Sequence, residues 1–326
     1  MSSLASLRCD GPSAASRWVW NQNSVRVPPT PAAITTCGFA THCWANGLPR
    51  AEPNLLLLLH GLGDGPSAFA RFAGRIALPQ TSALALGAPL PLPHEIPGGA
   101  WCDSFEADGE LIDGTRCNER RRTDSLARVT RPRLLALLRH LVFGCGWNLE
   151  RIFLFGYAQG GTAALDLLAH EESIDGSSGG PCRLGGVVSW CGFPLPEASA
   201  TVPSPLGSGR IGRRTPLLVV GGADDLQTPP KLARRLYAKL REGWVVHRSE
   251  EAEGRAEGRT EGKRSDEERE RARAADEVDQ TLHVLPRRGQ AMVGSAGEAK
   301  LLMEFFARHL ALNSALEDDP SIIRVS

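Results

Sequence analysis

With 326 residues, the chain is long enough for one large α/β domain or for two smaller domains. Its 37 basic and 37 acidic residues cancel, which argues against nucleic acid or an anionic membrane surface as its partner. Hydrophobic residues make up 42% of the chain, and no apolar run approaches the roughly 20 residues of a membrane span. We therefore expect a globular chain without a membrane-spanning segment.

The eight cysteines are scattered, without C-x-x-C pairs or zinc-like Cys/His spacing, and the N-terminus lacks the apolar core of a secretory signal. Reduced thiols in the cytoplasm are the simplest interpretation, and no metal or cofactor is predicted. The first thirty residues carry three arginines against one acid, together with several serines, so a mitochondrial presequence is the alternative.

Residues 1–50 show no sustained helical or alternating period, and an irregular extension is predicted for them. The stretch Trp18–Trp20 could still pack onto the main domain as an edge strand. That domain is predicted over residues 51–315 and begins with the five leucines Leu55–Leu59. A short apolar run bounded by turn residues is typical of a strand buried on both faces of a parallel sheet.

Helical spacing over residues 69–78 and a short strand over residues 83–86 come next. Residues 89–124 form a long loop rich in proline and glycine, whose aromatic side chains favour a packed lid or pocket wall. An amphipathic helix is predicted over residues 125–143, with Pro132 near its first turn.

The apolar run 151–155 leads into a glycine-rich turn over residues 156–161, and a helical pattern follows. Strand, sharp glycine-rich turn and helix are the context in which a G-x-S-x-G nucleophile elbow presents a serine above a parallel sheet. The centre of the turn is Ala158. The frame of the motif is therefore present without its nucleophile.

Further strands are predicted over residues 184–190, 216–220 and 281–285, and helices over residues 229–240 and 298–310. Alternating strands and helices predict one α/β domain with a doubly wound, mostly parallel sheet, and ligands bind beyond the carboxyl ends of such strands. Residues 248–277 lack large apolar side chains, so a disordered polyampholyte insertion is predicted there, and residues 316–326 are predicted to be a flexible tail.

The ordered set of turns resembles the phospholipase/carboxylesterase group of α/β-hydrolases, which includes the acyl-protein thioesterases. The resemblance covers residues 54–310 outside the insertion and implies the α/β-hydrolase fold. The motifs that carry it are, in chain order, His60-Gly61-Leu62-Gly63-Asp64, Ala88-Pro89, Trp101-Cys102-Asp103, Gly156 to Gly161 (where the family has G-F-S-Q-G-G), Ser189-Trp190-Cys191, the turn from Gly222 to Pro229, and Gly289-Gln290.

Enzymes of this group use a serine nucleophile, a histidine base and an orienting aspartate. The resemblance places Asp225 at the aspartate position, with Asp224 as the alternative. It places Ala158 at the nucleophile position and Gln290 at the base position. A methyl group cannot attack a carbonyl, and a glutamine cannot accept and return a proton near neutral pH.

The resemblance also implies an oxyanion hole built from the main-chain N–H groups of Leu62 and Gln159. The predicted pocket residues are His60, Gly61, Asp64, Trp101, Tyr157 and Trp190. We therefore predict an acyl-protein thioesterase-like protein that is catalytically degenerate and retains a pocket for an acyl ester, an acyl thioester or an acylated protein. Two alternatives stay open: an active ester or palmitoyl-thioester hydrolase with relocated catalytic groups, and an interaction scaffold that uses residues 1–50 and 248–277.

Overall fold

The computed structural model describes residues 26–45, 52–106, 108–112, 120–170, 183–199, 210–242, 278–286 and 289–312. The strands in these ranges are β1 (His42–Trp44), β2 (Asn54–Leu59), β3 (Thr81–Leu86), β4 (Ile152–Tyr157), β5 (Gly186–Trp190), β6 (Leu217–Gly222) and β7 (Gln280–Leu285). They form one sheet in the order β1-β3-β2-β4-β5-β6-β7. β1 runs antiparallel to β3, and the other neighbouring strands are parallel.

The helices of the described ranges are α1 (Pro31–Thr36), α2 (Pro66–Ile76), α3 (residues 121–144), α4 (Gln159–His170), α5 (Arg210–Arg214), α6 (residues 230–242) and α7 (Ala296–His309). Short 3₁₀ turns occupy Pro93–Glu95, Leu149–Arg151 and Pro196–Ser199. None of the helices in these ranges is long and apolar enough to cross a membrane.

The leucines of β2 divide the core between the two faces of the sheet. Leu55, Leu57 and Leu59 pack with the apolar sides of α3 and α4. Leu56 and Leu58 pack on the opposite face, with the phenylalanines of α2 and α7. Because successive side chains of a strand point to opposite faces, an unbroken apolar run requires cover on both sides. The predicted α/β-hydrolase fold, with a mostly parallel sheet between helices, is confirmed.

The prediction that residues 1–50 are irregular is wrong for the part of this range that the structure describes. Thr30 caps α1 through its side chain, and Pro31 follows at the first helical position, which suits a residue without an N–H. β1 then pairs with β3, with His42 opposite Leu86 and Trp44 opposite Leu84. A three-residue strand is too short to show an alternating period. Residues 18–20, 248–277 and 316–326 lie outside the described residues.

Pro132 lies in the interior of α3 and not near its first turn, because the helix begins at Arg121. A proline inside a helix removes one main-chain hydrogen bond and crowds the preceding turn. Here it directly follows a π turn, Leu126–Thr130, in which the N–H of Arg131 donates to the carbonyl of Leu126. The wider turn changes the hydrogen-bonding register just before the proline, so the helix continues through it.

The described part of the long loop 89–124 is packed, as its aromatic residues indicated. Leu90 pairs with Ala100 and Phe105 pairs with Leu111, both in antiparallel bridges. Trp101 is fully buried. This loop lies beside the carboxyl end of β2, since Gly63 and Gly99 are hydrogen-bonded to each other.

Candidate active site

Ala158, predicted at the nucleophile position, is the single residue between the end of β4 and the start of α4. Its φ of 47° lies in the left-handed region, which costs a non-glycine residue about 1–2 kcal/mol. Its N–H donates to the carbonyl of Trp190 over 2.8 Å, and its carbonyl accepts from the N–H of Thr162 over 3.0 Å. The backbone therefore makes the sharp strand-to-helix turn of a nucleophile elbow, with a methyl group where that motif carries a hydroxyl.

The glycines beside Ala158 are required by packing. A Cβ added to Gly156 would lie 2.5 Å from the carbonyl oxygen of Gly160, and a Cβ added to Gly160 would lie 2.2 Å from the carbonyl oxygen of Leu59. α4 can thus approach β2 and β4 closely only with glycine at both positions. The glycine pattern identifies the turn but does not by itself indicate catalysis.

The predicted oxyanion-hole donors are the main-chain N–H groups of Leu62 and Gln159, and both residues are half-buried. No hydrogen bond among the described residues uses either N–H. Gln159 begins the 12-residue helix α4, whose N-terminal end favours a negative charge. The turn that contains Leu62 is fixed by Gly99, which accepts from the N–H of Gly63 over 3.1 Å. Within the described chain, both donors can therefore serve a ligand oxygen.

The side chain of Gln159 joins the elbow to the loop that contains Trp101. Its Oε1 accepts from the main-chain N–H of Trp101 over 2.5 Å, and its Nε2 donates to Oγ of Ser104 over 2.6 Å. Nε1 of Trp101 donates to the carbonyl of His60 over 2.8 Å, and the hydroxyl of Thr130 donates to the carbonyl of Trp101. The roles of Ser104 and Thr130 were not predicted, since only their positions in the folded chain reveal them.

His60 is buried, and both of its ring nitrogens are used by local hydrogen bonds. Nε2 accepts from the N–H of Ala88 over 2.9 Å, which leaves the proton on Nδ1, and Nδ1 lies 2.7 Å from the carbonyl of Gly61. Burial lowers the pKa of His60, against smaller opposing effects of the Gly61 hydrogen bond and of Asp64. A neutral imidazole with both nitrogens occupied is a structural element of the turn and has no free nitrogen for a substrate proton.

Asp225, predicted at the aspartate position, follows β6 and is 3% exposed. Its Oδ1 accepts from the N–H groups of Gln227 and Thr228, over 2.9 and 3.1 Å. Its Oδ2 is buried and has no hydrogen-bond partner among the described residues. The alternative, Asp224, is exposed, so the burial favours Asp225. Leu226 is 94% exposed at the tip of the same turn, an apolar side chain that the sequence analysis did not single out.

Gln290, predicted at the base position, lies in the turn after β7. Its Nε2 donates to Oε1 of Gln227 over 3.2 Å, and this pair is exposed. The next residue, Ala291, accepts through its carbonyl from Nε1 of Trp190 over 3.0 Å. This contact brings the turn of Gln290 over the carboxyl end of β5, beside the elbow. The carboxamide of Gln290 is directed to Gln227, and no hydrogen bond joins it to Asp225.

The other predicted pocket residues differ in accessibility. Trp101 and Trp190 are fully buried, and Gly61 is buried against the ring of Tyr157, so these three residues are packed in the interior of the chain. Tyr157 is half-buried and Asp64 is exposed, so they can contact a ligand. Across the described ranges, no group of three or more His, Cys, Asp or Glu side chains is arranged to hold a metal ion.

Comparisons with known proteins agree with this architecture. Residues 49–257 match the family described as Phospholipase/Carboxylesterase. An uncharacterized hydrolase of Mycosarcoma maydis is 36% identical over 171 residues, which cover 51% of this chain and 60% of that protein. This chain thus matches less than two thirds of that relative's length. Ala158 and Asp225 lie inside the family match, and Gln290 lies beyond its end.

Solved structures show the same fold at low identity. A carboxylesterase from Bacillus cereus has a TM-score of 0.54 and 15% identity, and the match covers 86% of this chain and 100% of that chain. Acyl-protein thioesterase 2 from Zea mays has a TM-score of 0.53 and 16% identity, with 84% and 100% of the two chains covered.

Proposed function

Since the chain belongs to the phospholipase/carboxylesterase family, we propose that it is a non-hydrolytic member that binds an acyl ester, an acyl thioester or an acylated protein at the elbow. The observation that carries the proposal is Ala158. Its backbone has the left-handed conformation of a nucleophile elbow, and its side chain is a methyl group. In a triad enzyme, loss of the nucleophile alone lowers turnover by about a millionfold.

Retention of the binding function is supported by the oxyanion-hole donors. The N–H groups of Leu62 and Gln159 make no hydrogen bond within the described chain. A carbonyl oxygen held by two such donors at a helix N-terminus is stabilised whether or not a nucleophile is present. The two N–H groups can therefore bind the carbonyl oxygen of a ligand although no nucleophile attacks its carbon.

Relocated catalytic groups have little support. Burial raises the pKa of the Cys102 thiol to about 11, so it carries no thiolate near neutral pH. Cys191 is 2% exposed, and its Sγ faces the carbonyl of Ala291 at 3.9 Å. His60 has no free ring nitrogen. His283 pairs with Val220 within the sheet, below the carboxyl edge.

Labelling, turnover and binding measurements on the full chain test the proposal. A fluorophosphonate probe and a chain-length series of p-nitrophenyl esters and acyl thioesters should give no labelling and no turnover above the buffer rate. A long-chain alkyl ketone, which keeps the carbonyl of a thioester but cannot be hydrolysed, should bind saturably in calorimetry. Ala158→Leu, which puts a larger side chain in the elbow, should weaken that binding at least about tenfold while the melting temperature shows that the variant is folded.

The loss of catalysis and the retained acyl site can each be refuted by a different result. Stoichiometric probe labelling together with ester turnover would show an active hydrolase and refute the loss of catalysis. Absence of ketone binding at every chain length, or equal binding by the Ala158→Leu variant, would refute the retained acyl site.

A further inference from the structure

A cavity of about 200 Å³ lies at the amino ends of β2 and β3, on the face of the sheet that α2 covers. Its buried apolar lining consists of Leu56, Ala73, Leu78 and Ala83. An apolar cavity of about 150 Å³ can hold a benzene ring, so this space admits a single ring with a short substituent. The elbow follows the carboxyl end of β4, at the opposite edge of the sheet. The cavity is therefore distinct from the candidate active site.

The cavity can be reached from solvent on its polar side. Among the residues that line it, Ala77 is exposed, and Glu52, Gln80 and Thr81 are half-buried. The hydroxyl of Thr81 donates to the carbonyl of Pro79 over 2.7 Å, so its oxygen can still accept a hydrogen bond. A ligand that enters here meets hydrogen-bond acceptors first and apolar side chains behind them.

Glu52 gives this side of the cavity a negative charge. Of the described residues that line the cavity, it alone carries a charge. It makes no hydrogen bond or ion pair with another described residue. Arg75, in the last turn of α2, is exposed and does not line the cavity. A half-buried carboxylate has lost part of its hydration, and a positively charged donor compensates for that loss best.

The end of α2 adds to the same electrostatic preference. Ala73, Ile76 and Ala77 place the last turn of this 11-residue helix in the cavity wall. The final carbonyls of a helix have no partner within the helix, and its C-terminal end favours a positive charge. The carboxylate and the helix end therefore both favour a cation.

The wall between α2 and β3 is held in a strained conformation. Ala77 and Gln80 have φ values of 43° and 46°, in the left-handed region. Ala77 occupies the position after the helix where glycine is the usual residue. The carbonyl of Gln80 accepts from the main-chain N–H and from Nδ2 of Asn54, each over 3.1 Å, which fixes this turn against β2. Strain of this kind persists where the surroundings impose it, and it is common at binding sites.

We propose that this cavity binds a small organic cation, a protonated amine on an apolar body of about one ring. The ammonium group lies at Glu52, and the apolar body packs against Leu56, Ala73 and Ala83. An ammonium group has three N–H donors, for which the carboxylate and the hydroxyl oxygen of Thr81 are acceptors. A second binding site of this kind goes beyond the proposed function and does not depend on it.

Benzylamine, which is protonated near neutral pH, is the probe, and benzyl alcohol is its neutral analogue. Titrations of the native full chain, followed by ligand-observed saturation-transfer NMR, should show saturable binding of benzylamine. Benzyl alcohol should bind at least about tenfold more weakly, because it has the same ring but lacks the charge-assisted hydrogen bond.

Two variants test the position of the ligand. Glu52→Gln keeps the size of the side chain and removes its charge, so it should weaken benzylamine binding at least about tenfold and leave benzyl alcohol unchanged. Ala45→Leu, at another residue of the lining, reduces the free volume and should weaken both ligands. Glu150→Gln removes an exposed negative charge before β4 and should leave binding unchanged. Melting curves show that each variant is folded.

Absence of saturable benzylamine binding, equal affinities for the amine and the alcohol, or undiminished binding by Glu52→Gln overturns the inference. Arg50 lies outside the described residues, and if it pairs with Glu52, benzylamine does not bind and the inference is likewise overturned. The long-chain ketone of the acyl-site test distinguishes the two sites. Benzylamine that the ketone displaces is bound at the elbow, which refutes the cation site alone, whereas independent saturation by both ligands supports it.

Discussion

The main-chain N–H of Trp101 donates to Oε1 of Gln159 over 2.5 Å, and this hydrogen bond joins the loop after residue 89 to the elbow. Since Trp101 also donates through its ring to the carbonyl of His60, a single glutamine couples the two turns that carry the predicted oxyanion donors. The side chain of Gln159 therefore positions the site, independently of any role of its main-chain N–H.

Replacing Gln159 by alanine should lower the free energy of unfolding by about 1–3 kcal/mol, because the part-buried N–H of Trp101 loses its acceptor. Urea denaturation measures this change, and hydrogen exchange at the Trp101 amide should become faster. Gln290→Ala is the matched control, since it removes an exposed side-chain hydrogen bond and should change stability by less than about 0.5 kcal/mol. Equal losses in the two variants would contradict the positioning role.

The buried imidazole of His60 should make stability depend on pH. In the folded chain, burial lowers the pKa of His60 below its ordinary value of 6.5, so the unfolded chain takes up the proton more readily. Well above pH 6.5 the ring is neutral in both states and contributes no pH dependence. Below that value the free energy of unfolding should fall by up to about 1.4 kcal/mol per pH unit until the lowered pKa is reached.

His60→Gln tests this pH dependence, because glutamine can still accept from the N–H of Ala88 but does not titrate. The variant should be less stable than the native chain at pH 7.5, and the difference should shrink at pH 5. A difference that is the same at both pH values would mean that His60 is protonated equally in the folded and unfolded chains.

Restoring the two predicted triad positions tests how far the site has changed. Ala158→Ser with Gln290→His should gain turnover of short p-nitrophenyl esters, since residue 158 already has the elbow backbone and Asp225 is already buried after β6. Each single substitution should give at most about a hundredth of the rate of the pair, because the residues of a triad act as a unit. A folded but inactive pair would mean that other parts of the site have diverged as well.

Ala158→Gly should stabilise the chain by up to about 1 kcal/mol, because glycine adopts a positive φ without the cost that alanine bears. Ala163→Gly, in the middle of α4, is the matched control and should destabilise the chain by about 1 kcal/mol or more. Both values come from denaturant titrations. Destabilisation by both variants would argue that the left-handed turn at residue 158 is unstrained.

The sheet could be predicted because its central strands are recognisable from short local sequence patterns. Five consecutive leucines, and the glycine-rich turns that end the central strands, indicate buried strands of a parallel sheet without any tertiary information. Ala158 at the centre of the elbow is likewise visible in the sequence. These features depend on periodicity and on turn residues, which are properties of short segments.

Other features arise only from contacts between distant segments. The interior position of Pro132 depends on the π turn that precedes it, which no residue type specifies. Gln290 pairs with Gln227, which lies 63 positions before it along the chain. Oδ2 of Asp225 is buried and has no hydrogen-bond partner among the described residues. Sequence spacing places these residues near one edge of the sheet but does not say which atoms meet.

Because β1 pairs with β3, the segment that contains β1 is part of the folded domain. The family match begins at residue 49, so β1 lies outside it, although Ile34 and Phe39 are fully buried in the same core. A shortened chain that starts at residue 51 would leave the β3 edge open to pairing with other chains. We expect such a chain to sediment as aggregates after expression, whereas a chain that starts at residue 26 should stay in the supernatant. The N-terminal boundary for producing this protein therefore lies upstream of residue 49, where the family match begins.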